Sequence, residues 1–206
     1  MKEQYILYGA GEHAKVIADM MENLGYCLAF AIDKKPVDTL LLEKYPVHLS
    51  EKSKGIDQTK KYVIGIGNNG IRKKIAEEEL YEAHFGTIID RTAIISKYAK
   101  VGEGTVIMPG ATINVDTRIG KHCIINTNAS IDHECKIKDY VHISPNASLA
   151  GNVSVGECTH IGIGAIIIQG IKVGCGCTIG AGAVIIRDVP DGATVVGNPG
   201  RIIKNK

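Results

Sequence analysis

The sequence contains few aromatic residues. Among its 206 residues there is no Trp and there are only two Phe, so that aromatic side chains make up 5% of the chain, whereas Gly occurs 24 times. Aromatic rings normally supply much of the buried area of a globular core. A core without them has to be built from aliphatic and small side chains, which favours narrow layers that repeat along the chain.

Three further features are absent from the sequence. No apolar run approaches the length of a membrane span and no signal peptide is recognisable, so we expect a cytoplasmic protein without membrane insertion. The net charge is only +2 and the Lys and Arg residues are spread along the chain, which argues against nucleic acid as a partner. None of the six Cys forms a Cys-x-x-Cys pair, so we expect reduced thiols and no bound metal.

From Ile89 onward an aliphatic residue recurs at every sixth position, without a break, as far as Ile185. A small or β-branched residue follows each of them four positions later. An α-helix has a period near 3.6 and a strand a period of 2, so neither explains this pattern. A β-solenoid does, because each hexapeptide supplies one short strand and one corner, and three hexapeptides close a triangular coil. The sequence therefore predicts a β-helix over residues 89–206, with the aliphatic residues inside.

Residues 1–88 lack the repeat and have the pattern of a small α/β unit with a parallel sheet. Residues 34–60 show little pattern, so that we expect three or four strands in total. The elements predicted here are strands at Tyr5–Tyr8, Cys27–Ile32 and Tyr62–Ile66, a helix ending at Gly25, and a helix capped by Asn68 or Asn69 that runs to about Tyr81.

The first strand–helix connection has the form Gly9-x-Gly11-x-x-Ala14, and Asp33 stands at the end of the next strand. This is the pattern of a dinucleotide-binding loop, in which glycines let the backbone approach a phosphate at a helix N-terminus. The unit is only about half of a dinucleotide-binding domain, so a single nucleotide or a nucleotide-linked substrate is the better-sized ligand. A tight strand–helix turn without a ligand is the alternative interpretation.

Histidine occurs at four positions of the repeat: 122, 133, 142 and 160. His133 stands out because Asp132 and Glu134 flank it, and a carboxylate beside an imidazole fixes the tautomer and raises the basicity of a general base. Adjacent residues of a strand point to opposite faces, so Glu134 can reach His133 only if the two lie at a corner, or else the partner lies elsewhere. An exposed histidine at a solenoid corner, without a catalytic role, is the alternative.

Several short segments are characteristic in combination and occur in one order along the chain: Tyr8–His13, Ile66–Asn69, Ile71–Lys74, Asp132–Cys135, Ala150–Val153 and Val196–Arg201. With them the whole chain resembles the bacterial sugar acetyltransferases of hexapeptide-repeat type. This family includes the sialic acid O-acetyltransferase NeuD type and the UDP-4-amino-sugar N-acetyltransferase PglD type. The resemblance implies a Rossmann-like nucleotide-sugar-binding domain at 1–88 and a left-handed parallel β-helix with the acetyltransferase site at 89–206. It also implies acetyl-CoA as co-substrate and a homotrimer with active sites at the subunit interfaces.

The resemblance implies roles for individual residues as well. His133 would be the general base, and Glu134 would raise its basicity. Acetyl-CoA would be bound by His142 and, in a groove between subunits, by Ile163 and Ala181. The Gly151 N–H, one coil beyond His133, is a candidate for stabilising the oxyanion beside the bound acetyl-CoA. The nucleotide-sugar would be held by Gly11, Glu12, His13, Asp33, Lys34 and Gly67, although the family often has Gly or a small polar residue at the position of Glu12.

The expected function is the transfer of an acetyl group from acetyl-CoA to the amino group of a nucleotide-linked amino-sugar, of the UDP-4-amino-4,6-dideoxy type. O-acetylation of sialic acid or of a related sugar hydroxyl is the alternative within the family. A NAD-dependent oxidoreductase would explain the glycine loop but not the solenoid. A zinc enzyme of the hexapeptide carbonic anhydrase type would need three converging histidines. A solenoid scaffold without catalysis is the remaining alternative.

Overall fold

A computed structural model describes residues 3–35, 38–50 and 55–204 of the chain. The chain divides into two compact units, Met1–Ile88 and Ile89–Lys206.

The N-terminal unit is an α/β structure with one six-stranded sheet in the order β3-β4-β2-β1-β5-β6. Its strands are β1 (Gln4–Tyr8), β2 (Cys27–Asp33), β3 (Leu40–Leu41), β4 (Tyr45–Leu49), β5 (Lys61–Ile64) and β6 (His84–Phe85). Its helices are α1 (Glu12–Leu24) and α2 (Asn69–Lys74), the latter continued by a π-helical turn at Ile75–Glu79. All neighbouring strands are parallel except β3 and β4, which form an antiparallel edge.

Helix α1 packs closely against the sheet because small residues meet at the contact. A Cβ added to Gly65, directly after β5, would lie 2.9 Å from the Cβ and 3.0 Å from the Cα of Ala14. Ala14 is the third small residue of the glycine loop, and this contact is the reason that the loop pattern requires one there. The helix ends at Gly25, whose φ of 75° lies in the left-handed region that a helix C-terminus favours.

The sheet has more strands than the sequence predicted. Strands β3 and β6 have only two residues each, which is too short for a periodic pattern. Strand β4 contains Pro46, and a proline in the sequence normally argues against a strand. It is tolerated here because it lies where β4 pairs with the short antiparallel edge strand β3. The predicted third strand ends at Ile64 instead of Ile66, and the second helix ends at Glu79 after its π-helical turn.

The C-terminal unit is a parallel β-solenoid. Two-residue strands, β7 to β23, follow one another every six residues and form three sheets, which are the three faces of a triangular prism. Face 1 consists of β8 (Ile94–Ile95), β11 (Thr112–Ile113), β14 (Ser130–Ile131), β17 (Ser148–Leu149), β20 (Ile166–Ile167) and β23 (Val184–Ile185). Face 2 consists of β9 (Lys100–Val101), β12 (Arg118–Ile119), β15 (Lys136–Ile137), β18 (Ser154–Val155) and β21 (Lys172–Val173). Face 3 consists of β7 (Ile88–Ile89), β10 (Val106–Ile107), β13 (Ile124–Ile125), β16 (His142–Ile143), β19 (His160–Ile161), β22 (Thr178–Ile179), β24 (Thr194–Val196) and the antiparallel β25 (Arg201–Lys204).

From β8 to β20 each solenoid strand pairs with the strand 18 residues further on, as Ser130 does with Ser148 and Ile131 with Leu149. The second residue of each strand points inward, and Ile131 and Ile143 are fully buried. The small residue four positions later fills the space at the corner, where Ala147 is also fully buried. The six-residue period therefore arises from the interior, as the sequence predicted, and the first residue of each strand is left to face outward.

Arg72 is a charged side chain inside the N-terminal unit, with only 1% of its surface exposed. Its Nη1 donates to the carbonyl oxygens of Ile66 (3.0 Å) and Gly67 (3.1 Å), and its Nη2 donates to Asn69 Oδ1 (2.9 Å). These bonds fix the loop that follows β5. No sequence pattern distinguishes this buried cation from the other residues of its basic run.

Replacing Arg72 by Met is expected to lower the free energy of unfolding by about 2–4 kcal/mol, because the partly buried carbonyls of Ile66 and Gly67 and the side chain of Asn69 lose their donor. Lys73→Met, which removes the neighbouring and more exposed charge, is the matched control and should change stability by no more than about 0.5 kcal/mol. Denaturant unfolding of the full chain, followed by circular dichroism, makes the comparison. Equal effects of the two substitutions would contradict this account of Arg72.

Candidate active site

His133 and Glu134 form a hydrogen-bonded pair at the corner between face 1 and face 2. Glu134 has a φ of 60°, in the left-handed region, and its N–H donates to Val115 O of the preceding coil at 3.0 Å. This turn directs its carboxylate back along the corner, where Oε2 lies 3.1 Å from His133 Nδ1. Both side chains are at least half exposed. The requirement that adjacent residues interact only at a corner is therefore met.

The backbone beside His133 is held by polar contacts. Asp132 Oδ1 accepts hydrogen bonds from the His133 N–H and from Asn114 Nδ2, each at 2.8 Å. The bond from Asn114, followed by the bond from the His133 N–H, lowers the pKa of Asp132 below its usual value. Inside the solenoid, the buried Thr117 Oγ1 donates to the Asp132 carbonyl at 2.6 Å. The corner that presents His133 is thus fixed from the interior and from the surface.

Gly151 lies one coil beyond His133, under the edge of its imidazole ring. A Cβ at Gly151 would lie 2.5 Å from His133 Cε1 and 2.6 Å from Nε2, so only glycine leaves room for the ring in this position. At equivalent corner positions the backbone N–H is bound by the preceding side chain, as Asp132 binds His133 and Asn126 binds Thr127. Residue 150 is Ala and offers no such acceptor, and the Gly151 N–H has no acceptor among the described residues.

His142, Ile163 and Ala181 lie elsewhere on the solenoid. His142 is the outward residue of β16 on face 3, and its Nε2 lies 3.1 Å from Asn126 Nδ2. Ile163, which is 52% exposed, and Ala181 are stacked at the corner between face 3 and face 1, where the Gly182 N–H donates to Ile163 O at 2.8 Å. These three predicted acetyl-CoA ligands therefore lie on one side of the prism.

The solenoid residues predicted to form one site thus fall into two groups. The corner with His133, Glu134 and Gly151 separates face 1 from face 2, whereas His142 projects from face 3. In a triangular prism, the corner between two faces lies opposite the third face. One chain therefore does not bring His133 and His142 together.

In the N-terminal unit, Gly11 and Gly67 lie on either side of the point where the strand order reverses. The chain proceeds from β1 outward through β2 and β4, and then returns to the other side of β1 with β5 and β6. Parallel sheets bind ligands at such a point, beyond the carboxyl ends of the strands. A Cβ at Gly11 or at Gly67 would meet no atom within 4 Å, and neither φ lies in the left-handed region. Neither close packing nor a left-handed backbone conformation requires glycine at these two positions.

The remaining predicted residues of this unit line the same loops. Glu12 is the first residue of α1, where a carboxylate stabilises the helix dipole. His13 follows it, and burial together with the nearby charge of Arg72 lowers the pKa of His13 to about 4. His13 is therefore neutral at neutral pH. Asp33 accepts the N–H groups of Ala10 and Lys35, each at 2.8 Å, and so holds the glycine loop in place.

Lys34 belongs to a polar cluster that the sequence did not indicate. Its Nζ lies 2.5 Å from Glu79 Oε1, and Tyr8 donates its hydroxyl to Glu79 Oε2 at 2.6 Å. Burial acts to raise the pKa of Glu79, but the hydrogen bonds from Lys34 and Tyr8 outweigh it, so the pKa is lowered. Burial, reinforced by the bond to Glu79, raises the pKa of Tyr8. Tyr8 and Glu79 also line a cavity of about 320 Å³.

Within the described ranges, no group of three or more His, Cys, Asp or Glu side chains is arranged to hold a metal ion. Over the same residues, no helix has the length and apolar character needed to span a bilayer.

Comparison with known proteins identifies both units. The family described as PglD N-terminal domain matches residues 4–78, and the bacterial transferase hexapeptide family (six repeats) matches residues 116–151. No curated protein matches the chain in sequence.

Solved structures match the whole chain. The acetyltransferase domain of PglB from Neisseria gonorrhoeae FA1090, in complex with acetyl coenzyme A, is 33% identical with a TM-score of 0.91, over 98% of this chain and 100% of that one. A His→Asn mutant of perosamine N-acetyltransferase from Caulobacter crescentus, in complex with CoA and GDP-perosamine, is 31% identical with a TM-score of 0.88, over 98% and 97%. WeeI from Acinetobacter baumannii AYE is 30% identical with a TM-score of 0.86, over 98% and 100%. The chain belongs to the hexapeptide-repeat family of bacterial sugar acetyltransferases.

Family membership confirms the fold that the sequence predicted, an α/β subdomain followed by a left-handed parallel β-helix. Three residues that contact predicted site residues were not themselves predicted from the sequence. Asn126 bonds to His142, Glu79 bonds to Lys34, and Tyr8 bonds to Glu79. Asn126 could have been found by examining the residues about one coil away from His142. Tyr8 and Glu79 are separated by 71 positions with no repeat between them, so the sequence contained no comparable signal.

Proposed function

We propose that this protein transfers the acetyl group of acetyl-CoA to the amino group of a nucleotide-linked amino-sugar, with His133 as the general base. The His133–Glu134 pair, with its imidazole edge over Gly151, is the observation that carries the proposal. Because a carboxylate can only accept, Glu134 fixes the proton of His133 on Nδ1 and leaves the lone pair of Nε2 available as a base.

The amine attacks the thioester carbonyl and forms a tetrahedral intermediate whose nitrogen carries the excess proton. His133 Nε2 takes this proton, and Glu134 stabilises the imidazolium that results. When the carbon–sulfur bond breaks, the imidazolium returns the proton to the sulfur of CoA. The amide product and CoA–SH leave, and His133 is neutral again.

The developing oxyanion needs a donor beside Nε2, and we assign this role to the Gly151 N–H. The ring of His133 lies against Gly151, and the described residues offer its N–H no acceptor. A donor aimed at the oxyanion accelerates such reactions by about 10²- to 10³-fold. Gly151 thus serves two requirements, since a larger residue would also displace the ring of His133.

The active site is proposed to form between two chains of a homotrimer. His142, Ile163 and Ala181 lie on the side of the prism away from His133 and so cannot complete its site within one chain. In a closed ring of identical chains, the corner of one chain meets the opposite side of its neighbour. This arrangement would place acetyl-CoA between the two groups of residues.

The acceptor is proposed to bind through its nucleotide at the loops that carry Gly11 and Gly67. The open space above both glycines and the nearby α1 N-terminus favour a phosphate group there. His13 is held neutral by its pKa of about 4, so it would act as a hydrogen-bonding group and not as a cation. The UDP-linked sugar expected from the sequence and the GDP-linked sugar bound to the Caulobacter relative are the two acceptors to compare.

The first test is thiol release from acetyl-CoA in the presence of UDP-, dTDP- and GDP-linked 4-amino-sugars and of free sialic acid. One amino-sugar nucleotide is expected to support turnover, and His133→Ala should reduce its rate by about 10²- to 10⁴-fold because the base is lost. His84→Ala, at an exposed histidine of the N-terminal unit, is the control and should leave the rate unchanged. Release with sialic acid alone, or full activity of His133→Ala, would refute the proposal.

Mixing two impaired variants tests the shared site, at an acetyl-CoA concentration low enough that the His142→Ala chains alone show little turnover. His133→Ala and His142→Ala chains are refolded together in equal amounts, and each site needs one intact corner and one intact face 3 from adjacent chains. Random assembly should then restore about one quarter of the wild-type turnover, because half of the corners and half of the faces are intact. A mixture no more active than the separate variants would place the whole site within one chain.

Gly11→Ala is expected to raise the KM for the nucleotide-sugar about 10-fold by blocking backbone approach. The loss of stability should stay below about 1 kcal/mol, the cost of Ala at the N-cap of α1, because the new Cβ meets no protein atom. Gly65→Ala is the matched control, since its Cβ would collide with Ala14 and lower the free energy of unfolding by about 1–3 kcal/mol. Steady-state kinetics and thermal unfolding of both variants make the comparison. An unchanged KM for Gly11→Ala would remove this loop from the nucleotide site.

A further inference from the structure

Two histidines are stacked on the outward side of face 3. The parallel register pairs His142 of β16 with His160 of β19, and the two imidazole rings lie 4.7 Å apart and within 11° of parallel. His160 is itself anchored, because its Nε2 lies 2.7 Å from Ser144 Oγ. The proposed function assigns a contact with acetyl-CoA to His142 but leaves His160 without a role.

The hydrogen bonds around Asn126 determine where His142 carries its proton. Asn126 Oδ1 accepts the Thr127 N–H at 2.8 Å, which fixes the orientation of the side-chain amide and turns Nδ2 toward His142. Nδ2 can only donate, so His142 Nε2, at 3.1 Å, must accept. His142 is therefore neutral, with its proton on Nδ1.

A hydrogen bond to Nε2 fixes the tautomer but leaves the ring free to rotate about that bond. The stack with His160 restricts this rotation, because the two rings are nearly parallel and His160 is tied to Ser144. On the other side of His142 in the sheet, the paired residue is Ile124, which is aliphatic and buried. Of these neighbours, only His160 presents a flat surface to the imidazole of His142.

We propose that His160 is a positioning residue for His142: its anchored ring holds the His142 imidazole flat, so that the Nδ1–H is presented to acetyl-CoA in one orientation. Asn126 selects the tautomer, and His160 selects the plane of the ring. This assignment rests on the proposed function only for the identity of the ligand, because tautomer and ring orientation are properties of the protein without substrate.

The kinetic test compares His160→Ala, which removes the stack, with His160→Phe, which keeps a flat ring but cannot bond to Ser144 through a nitrogen. His160→Ala should raise the KM for acetyl-CoA by about 3- to 10-fold, as expected when one hydrogen bond loses its orientation. The KM for the nucleotide-sugar should not change, and His160→Phe, which keeps the flat ring but not the anchor, should restore only part of the lost affinity. Thr178→Ala, at the exposed neighbour of His160 on β22, is the matched control and should behave as wild type.

The spectroscopic test needs no substrate. Long-range ¹H–¹⁵N correlation spectra of the wild-type protein should show His142 protonated on Nδ1, and Asn126→Ala should shift it toward the Nε2–H form. In His160→Ala the tautomer should persist while the ring signals of His142 broaden or move, because only the stack is lost.

Two results would overturn the proposal. An active enzyme whose KM for acetyl-CoA is the same in His160→Ala and wild type would show that His160 does not position His142. Protonation of His142 on Nε2 in the wild-type protein would refute the tautomer. If instead the protein shows no acetyltransferase activity while the spectra agree with these expectations, the proposed function fails and the account of ring geometry stands.

Discussion

Parallel pairing in a register of 18 residues is the constraint on which the rest of the β-helix depends. At the corner of His133, the Asp132 N–H donates to Leu149 O at 3.0 Å and the Asn152 N–H donates to His133 O at 2.8 Å. Backbone groups supply this pairing, and buried aliphatic residues such as Ile131 and Ile143 supply the core. Exposed outward side chains, such as those of His133 and His160, contribute little to this core, and they can therefore be chosen for their chemistry.

A rigid scaffold explains how exposed residues obtain defined geometry. His133 is half exposed, yet Glu134 and the adjacent backbone of Gly151 restrict its ring, and Asp132 fixes the backbone N–H of His133. His142 is restricted in a comparable way by Asn126 and His160. In both cases the neighbours come from the same corner or from adjacent coils, where the register places them at one coil step, about 4.8 Å, apart.

The repeat made the solenoid predictable, since its period of six has one structural explanation, and it located the corner of His133. The pairing of His142 with Asn126 and His160 was not predicted, because such contacts depend on residues 16 and 18 positions apart on neighbouring coils. The short strands β3 and β6 and the buried Arg72 left no pattern in the sequence. Basic residues are spread along the sequence, yet Lys100, Arg118 and Lys136 are direct neighbours on face 2, because a spacing of 18 in sequence becomes adjacency in space.

The period of six also means that a chain can keep its core, and so fold, while it loses the arrangement of side chains that activity requires. Duplication of one hexapeptide between His133 and His142 would keep every aliphatic residue inside, so the core would tolerate it. The same duplication would move His142, and with it Ile163 and Ala181, which follow it in the chain, by one face relative to His133. Stability alone therefore does not fix the number of hexapeptides between the two histidines. In the evolution of such chains, only selection for a working site can preserve that number.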